Sequence, residues 1–211
     1  MFNKYQIKGL SIKKRFSPLS APPSQDKQTS VLDLALMYQA EGKRDIKRMD
    51  FKTALKNFFK AYTIIKQENQ NEFKSDTYEL AKCCQHMGDV FFRMENFKRS
   101  LTFYLRAYKI RQRLAAYFDG WINFELADSL QAISIVYNRL GDLRTALKHS
   151  LKVLEMRKSL YDERFDSMDV ALSYKNVARI YFNLNDIVNG MKYFRSGLEM
   201  KRRLEQNELI L

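Results

Sequence analysis

GDLRTALKHS (141–150) is the stretch on which the reading of this chain turns, because altered copies of it stand at three other places. They are MDFKTALKNF (49–58), ENFKRSLTFY (95–104) and NDIVNGMKYF (185–194). Successive copies are offset by 46, 46 and 44 residues. So regular an offset marks a stacked array of like units, each unable to bury its apolar face alone.

The match continues on both sides at the same offsets. Upstream, small residues recur as Gly42, Gly88, Ser134 and Ala178, and larger ones as Tyr38, Cys84, Leu130 and Tyr174. Aromatic residues recur as Phe91, Tyr137 and Tyr181, a column that Asp45 interrupts. Downstream come Ala54, Ser100, Ala146 and Gly190, then Ala61, Ala107, Val153 and Gly197, then Ile64, Ile110, Met156 and Met200. The small columns let two helices approach, and the large ones fill the holes.

Within a copy the apolar spacing is helical. Leu130, Ile133, Ser134 and Tyr137 share one face, and Ala146, Leu147, Val153 and Leu154 share another. Asp50, Asn96, Asp142 and Asp186 stand before each second half, where a side-chain oxygen caps a new helix. All three prolines lie at 18, 22 and 23, so nothing later breaks a helix. Helix pairs are predicted at 31–48/51–67, 76–94/97–116, 121–140/143–161 and 168–184/187–206. The fold class is all-α, a right-handed α-solenoid of four helix–turn–helix repeats over 30–206. A basic tail with a Pro-rich linker is expected at 1–29, disordered, and a short C-terminal tail at 207–211.

Composition narrows the function. Lys and Arg number 37 against 24 Asp and Glu, a formal charge of +13. That favours acidic peptides, nucleic acid or anionic membrane as partners. Two cysteines and two histidines exclude a disulfide scaffold and an all-cysteine zinc site. No Ser/His/Asp or Cys/His constellation and no Gly-rich phosphate loop is present, so neither an enzyme nor a cofactor is expected. Cys83, Cys84 and His86 raise a metal reading, but Cys84 falls on a repeat column and reads as a buried thiol. No apolar run reaches the ~18–20 residues of a membrane span. The expected compartment is the cytoplasm. The first sixteen residues are basic and free of acid, loosely like a mitochondrial presequence; a solvated basic tail is the favoured reading. Phe103, Tyr104 and Tyr108 among Arg106, Lys109, Arg111 and Arg113 leave an RNA-binding alternative open.

The columns resemble the tetratricopeptide repeat. Gly42, Phe51, Ala54, Phe58 and Ala61 carry the likeness in the first copy, and Gly88, Phe91, Phe97, Tyr104 and Ala107 in the second. Ser134, Tyr137, Gly141, Ala146 and Val153 carry it in the third, and Ala178, Tyr181, Phe194 and Gly197 in the fourth. The unit is about a dozen residues longer than the common one of about 34 and lacks its closing proline. Residues 154–186 look most like the long-repeat branch found in kinesin light chain and nephrocystin, with Asn176 matching one groove asparagine of that branch and Lys175 replacing the other.

The resemblance implies a scaffold whose first helices line a concave groove that holds a peptide. Mapped here, that face is Gln39, Lys43 and Lys47; then Lys82, Gln85, His86, Asp89, Phe92 and Arg93. From the third copy it takes Asp128, Gln131, Ile135, Asn138 and Arg139, and from the fourth Lys175, Asn176, Arg179, Phe182 and Asn183. Basic residues outnumber acidic ones there, so the expected partner is an acidic peptide. Gln39, Gln85, Gln131 and Lys175 stand in register and could form a ladder of donors along a peptide backbone. The carboxylate clamp of chaperone-binding members does not fit, since Gln39, Lys43, His86, Asp128 and Ala132 stand at its places. The last helix repeats Met200 with no fifth copy after it, so either Leu209, Ile210 and Leu211 cover it or it self-associates.

Overall fold

The computed structural model describes residues 30–71, 77–116, 121–161 and 166–208. Expectations for 1–29 and 209–211 lie outside the described residues. The elements are α1 (Val31–Lys47), α2 (Phe51–Asn71), α3 (Tyr78–Arg93), α4 (Phe97–Ala115), α5 (Trp121–Arg139), α6 (Leu143–Leu160), α7 (Met168–Asn183) and α8 (Ile187–Glu208). No strand occurs among the described residues. Each helix packs chiefly on its neighbours in sequence, so four helical hairpins stack into an α-solenoid.

The turn within each hairpin follows from local chemistry. Asp50, Asn96, Asp142 and Asp186 each accept from the backbone N–H three residues on, at 3.1, 3.3, 3.1 and 3.0 Å. Hydrogen bonding to that residue is the first cause holding the carboxyls of Asp50, Asp142 and Asp186 below the usual aspartate value. The residue before each cap is left-handed: Met49 (φ 63°), Glu95 (φ 57°), Gly141 (φ 84°) and Asn185 (φ 61°). Only the third copy places glycine there, where the conformation is free of steric cost.

In the first two hairpins a small residue meets a large ring sixteen residues on. A Cβ on Gly42 would lie 2.8 Å from the Phe58 ring, and one on Gly88 2.5 Å from the Tyr104 ring. In the third copy two hydroxyls replace glycine and ring: Ser134 and Ser150 lie 2.6 Å apart, and Ser134 also donates to the Ala146 carbonyl. The core is therefore a string of clusters along the stack. One spans copies 1 and 2 around Phe58, Met87 and Ile110. Others gather around Ile133 and Val136, and around Leu154, Val170 and Val177.

Candidate functional site

Between copies, the contact changes in character after the first junction. Ile65 and Cys83 are both buried in the apolar cluster joining copies 1 and 2. The residues in register with Ile65 are Arg111 and Arg157, and those in register with Cys83 are Ser129 and Ser173. Arg111 is 2% exposed. Its guanidinium donates to the Ser129 hydroxyl and to Gln85 Oε1 at 3.1 Å, and pairs with Glu125 at 2.7 Å. Arg157 donates to Ser173 Oγ at 2.8 Å and to the Asp169 carbonyl at 3.2 Å, and pairs with Asp128 at 2.5 Å. Sequence reading missed these two cations. The signal was available, because each stands directly after the last apolar column and faces a serine in register.

These junctions shape a groove between α3 and α5. One cavity of about 300 Å³ is lined by Asp89, Phe92, Tyr104, Asp128, Gln131, Ala132, Ile135 and Arg157. A second, about 530 Å³, shares Asp89, Phe92 and Tyr104 and adds Ile46, Arg93, Glu95, Phe97 and Arg139. The two together hold Asp89, Glu95 and Asp128 against Arg93, Arg139 and Arg157, so the lining is balanced in charge rather than basic. Its wall is polar and ordered: Asp89 accepts from Tyr104 Oη at 2.7 Å and from Gln85 Nε2 at 3.3 Å. Burial first, and the Asp89 charge second, push the Tyr104 phenol far above its ordinary pKa.

Of the expected groove residues, Asp89, Phe92, Arg93, Asp128, Gln131, Ile135 and Arg139 line these cavities. The others are placed differently. Lys43 and Lys47 are exposed on α1, and Lys175 on α7. Lys82 pairs with Glu79 at 3.2 Å and lies over the Tyr78 ring. His86 lies tilted against Phe58 with ring centroids 5.1 Å apart, and its Nδ1 is 3.5 Å from Asp89 Oδ2. The Phe182 ring leans over Gly190, within 2.5 Å of where a Cβ would stand, so it belongs to the α7/α8 contact. Asn183 donates to Asn138 Oδ1 at 2.9 Å, tying copy 3 to copy 4, and Asn176 accepts from Arg179 at 3.4 Å.

The expected ladder of free amides is not there. Gln39 donates to Glu79 at 3.0 Å, and Gln85 is taken by Asp89 and Arg111. Only the Gln131 amide lacks a partner at both its oxygen and its nitrogen. The physical cause is that long acidic and basic side chains reach two of the three amides first, Glu79 of the next copy for Gln39, and Asp89 and Arg111 of its own copy for Gln85.

Beyond Arg157, three arginines lie near the turn ends of α3, α5 and α7. Arg93, Arg139 and Arg179 have no carboxylate partner among the described residues. Burial, and then the nearby charge of Arg139, hold the Arg179 guanidinium below its ordinary pKa.

Burial pushes the thiols of Cys83 and Cys84 up to about 12, so neither is a thiolate near neutral pH. No group of three or more His, Cys, Asp or Glu that could hold a metal occurs among the described residues. No described helix is long and apolar enough to cross a membrane.

Residues 126–165 match the tetratricopeptide repeat family. They cover most of α5 and all of α6, the third of the four copies. The tetratricopeptide resemblance read in the sequence holds, and solved structures share the helical-repeat fold beyond that copy. BtubC (BKLC) from P. vanneervenii is similar over 86% of this chain and 68% of its own, with a TM-score of 0.73 at 14% identity. The nearly identical TPR-like repeats named for a Podosopora anserina kinesin light chain are similar over 82% and 76%, with a TM-score of 0.66 at 8% identity. A Rap protein complexed with Competence and Sporulation Factor is similar over 82% of this chain and 44% of its own, with a TM-score of 0.61 at 19% identity. Identities this low carry the fold alone. No curated protein matches the chain in sequence.

Proposed function

We propose that this chain is a non-catalytic interaction scaffold, an adaptor that holds a segment of a protein partner in the groove between α3 and α5. Acidic side chains of that segment set themselves against Arg93, Arg139 and Arg179. One observation carries the reading: Arg139 bears on Arg179 with a like charge, and neither has a carboxylate beside it among the described residues. Anions relieve such crowding, and planar guanidinium groups take carboxylates two-pronged. The Rap protein complexed with Competence and Sporulation Factor shares the fold and lends support. Two adjacent free thiols, both buried, suit a reducing compartment such as the cytoplasm.

The test is selection of displayed random 12-residue peptides on the wild type and on Arg139→Glu/Arg179→Glu. Helicity should be equal in both. Acidic residues should be enriched by the wild type and lost from the variant's selected set. Identical sets would count against the groove. The nucleic-acid alternative predicts instead that a homopolymeric RNA binds, with affinity falling steeply as salt rises.

A second surface belongs to the same reading. Ile187, Met191, Phe194 and Leu198 are exposed along α8, and Leu32, Leu36 and Met37 along α1. Lys201 on α8 is in register with Arg157, and Asp33 on α1 with Asp169. We infer that a second copy stacks its α1 on α8, extending the array with Lys201 facing Asp33. A head-to-tail contact that continues the rise of the solenoid stays open, so the chain should form a concentration-dependent series. Sedimentation should show that series in the wild type and in a chain lacking 207–211, and a monomer for Leu198→Glu. A monomeric wild type would overturn the stacking. A series formed only by the truncated chain would make the tail a cap.

A further inference from the structure

Gln39, Gln85 and Gln131 stand in register and meet different fates: Glu79 takes the first, and a difference in charge accompanies the contrast between the other two. Where α3 carries Lys82, α5 carries Asp128 at the same place. Beside Lys82, Arg111 turns to Gln85, at 3.1 Å. Beside Asp128, Arg157 turns to that carboxylate, at 2.5 Å. Gln131 is thereby left with an amide that nothing answers, although the residue is only 8% exposed. A buried amide without donor or acceptor is disfavoured and uncommon in native chains.

Gln131 sits on the wall of the 300 Å³ cavity together with Asp89 and Asp128. The Asp128 side chain is 63% exposed, and that of Asp89 37%. Arg157 occupies Oδ1 of Asp128, which leaves its second oxygen for another donor. Phe92 and Ile135 supply apolar wall beside the carboxylates. The chemistry that fits has three parts: a cationic head, an apolar stem, and a group that both donates and accepts. A lysine or arginine residue in an extended peptide has all three, its stem lying on apolar surface and its peptide bond matching an amide.

We propose that this cavity is a subsite for a lysine or arginine residue of a bound peptide, with Asp89 and Asp128 taking the side chain and Gln131 taking the adjoining peptide group. The Gln131 amide atoms are covered by their neighbours, so the side chain turns about its own bonds to meet the ligand. The proposal rests on the groove reading above and sharpens it. The segment is bipolar, with a base in the cavity between α3 and α5 and acids toward the arginines near the turns.

The experiment uses the full chain and the same displayed 12-residue peptides. Wild type should select a lysine or arginine at a fixed distance from the acids. Asp128→Lys, which restores the charge found in register on α3, should lose that preference, with affinity for the selected peptide down at least tenfold. Asp128→Asn, which keeps an acceptor for Arg157, should lose it too and controls for misfolding. Gln131→Leu should weaken the selected peptide about tenfold while keeping the basic preference. One N-methylated peptide bond should abolish the wild-type advantage over Gln131→Leu. A basic preference that survives both Asp128 variants, or equal binding by Gln131→Leu, would overturn the subsite. If such peptides still depend on Arg139 and Arg179, the groove stands and only the subsite falls. Selection of no peptide by the wild type would remove both.

Discussion

The junction between copies 1 and 2 and the junction between copies 2 and 3 occupy the same register and use opposite chemistry. At the first, Ile65 and Cys83 meet within a dry cluster. At the second, a guanidinium 3% exposed is surrounded by Gln85, Ser129 and Glu125. The backbone accepts either solution because a repeat only needs the contact filled and its polar atoms answered. The difference lies in what failure costs. An apolar contact degrades gradually as volume is lost, whereas a buried cation that loses one partner leaves the others desolvated.

That comparison is broken most sharply at Arg111. Arg111→Met should destabilise the chain by about 3 kcal/mol, since the Glu125 carboxylate loses its cation and Ser129 and Gln85 each lose one of their hydrogen bonds. Arg111→Ile with Ser129→Cys places the Ile65 and Cys83 pair of the first junction here, and Glu125→Gln removes the carboxylate left without its arginine; the triple variant should recover most of that loss. Urea unfolding checks both. If the triple variant is no more stable than Arg111→Met, the two junctions are not interchangeable, and the arginine is required by something beyond its immediate contacts.

Two glycines give a smaller contrast of the same kind. A Cβ at Gly88 would stand 2.5 Å from Tyr104 Cδ1, while Gly141 has nothing within 4 Å but a φ of 84°. Gly88→Ala should cost about 1–3 kcal/mol through overpacking, and pairing it with Tyr104→Leu should relieve part of that. Gly141→Ala should cost about 1–2 kcal/mol through the backbone alone. Gly141→Asn should cost less, since Asn185 already adopts this conformation at the same place. Thermal melts of the four variants decide it. Equal losses from Gly141→Ala and Gly141→Asn would mean that backbone strain is not the cause.

Much of the fold was legible because it depends on local and periodic features. The predicted helix pairs lie close to the observed ones, and each predicted capping residue caps. The ends drifted where sequence gives no stop signal. α2 continues to Asn71 past the expected 67, because the residues beyond 67, ENQN, hold no proline or glycine to end a helix. The site was less legible. Gln39, Gln85 and Gln131 look identical along the chain, yet their states depend on Glu79, on Arg111, and on Lys82 standing in one copy where Asp128 stands in the next. Phe182 was read toward the groove from its register, but Gly190 opposite gives its ring a hollow to fill. Periodicity tells which face a residue lies on. It cannot tell which of two long side chains reaches it first.

The caps offer the mildest distinction, between copies that titrate and one that does not. Asp50, Asp142 and Asp186 hold carboxyl pKa values below 3.8, while the equivalent cap of copy 2 is Asn96, which carries no charge to lose. A carboxyl lowered on folding stabilises the folded chain above its unfolded pKa, and that contribution disappears as pH falls through the folded value. Stability should therefore drop as pH is lowered from about 5 toward 2. Part of the drop should be absent in Asp142→Asn, which keeps an accepting oxygen for Thr145. Asp50 and Asp142 are exposed and Asp186 half-buried, so the effect of any one is small, and it should weaken further in high salt. Thermal melts across that pH range, on the wild type and on Asp142→Asn, measure the difference directly. If the two curves stay parallel down to the acid limit, the charge of the cap contributes nothing, and the hydrogen bond that Asn96 makes equally well is the whole of its role.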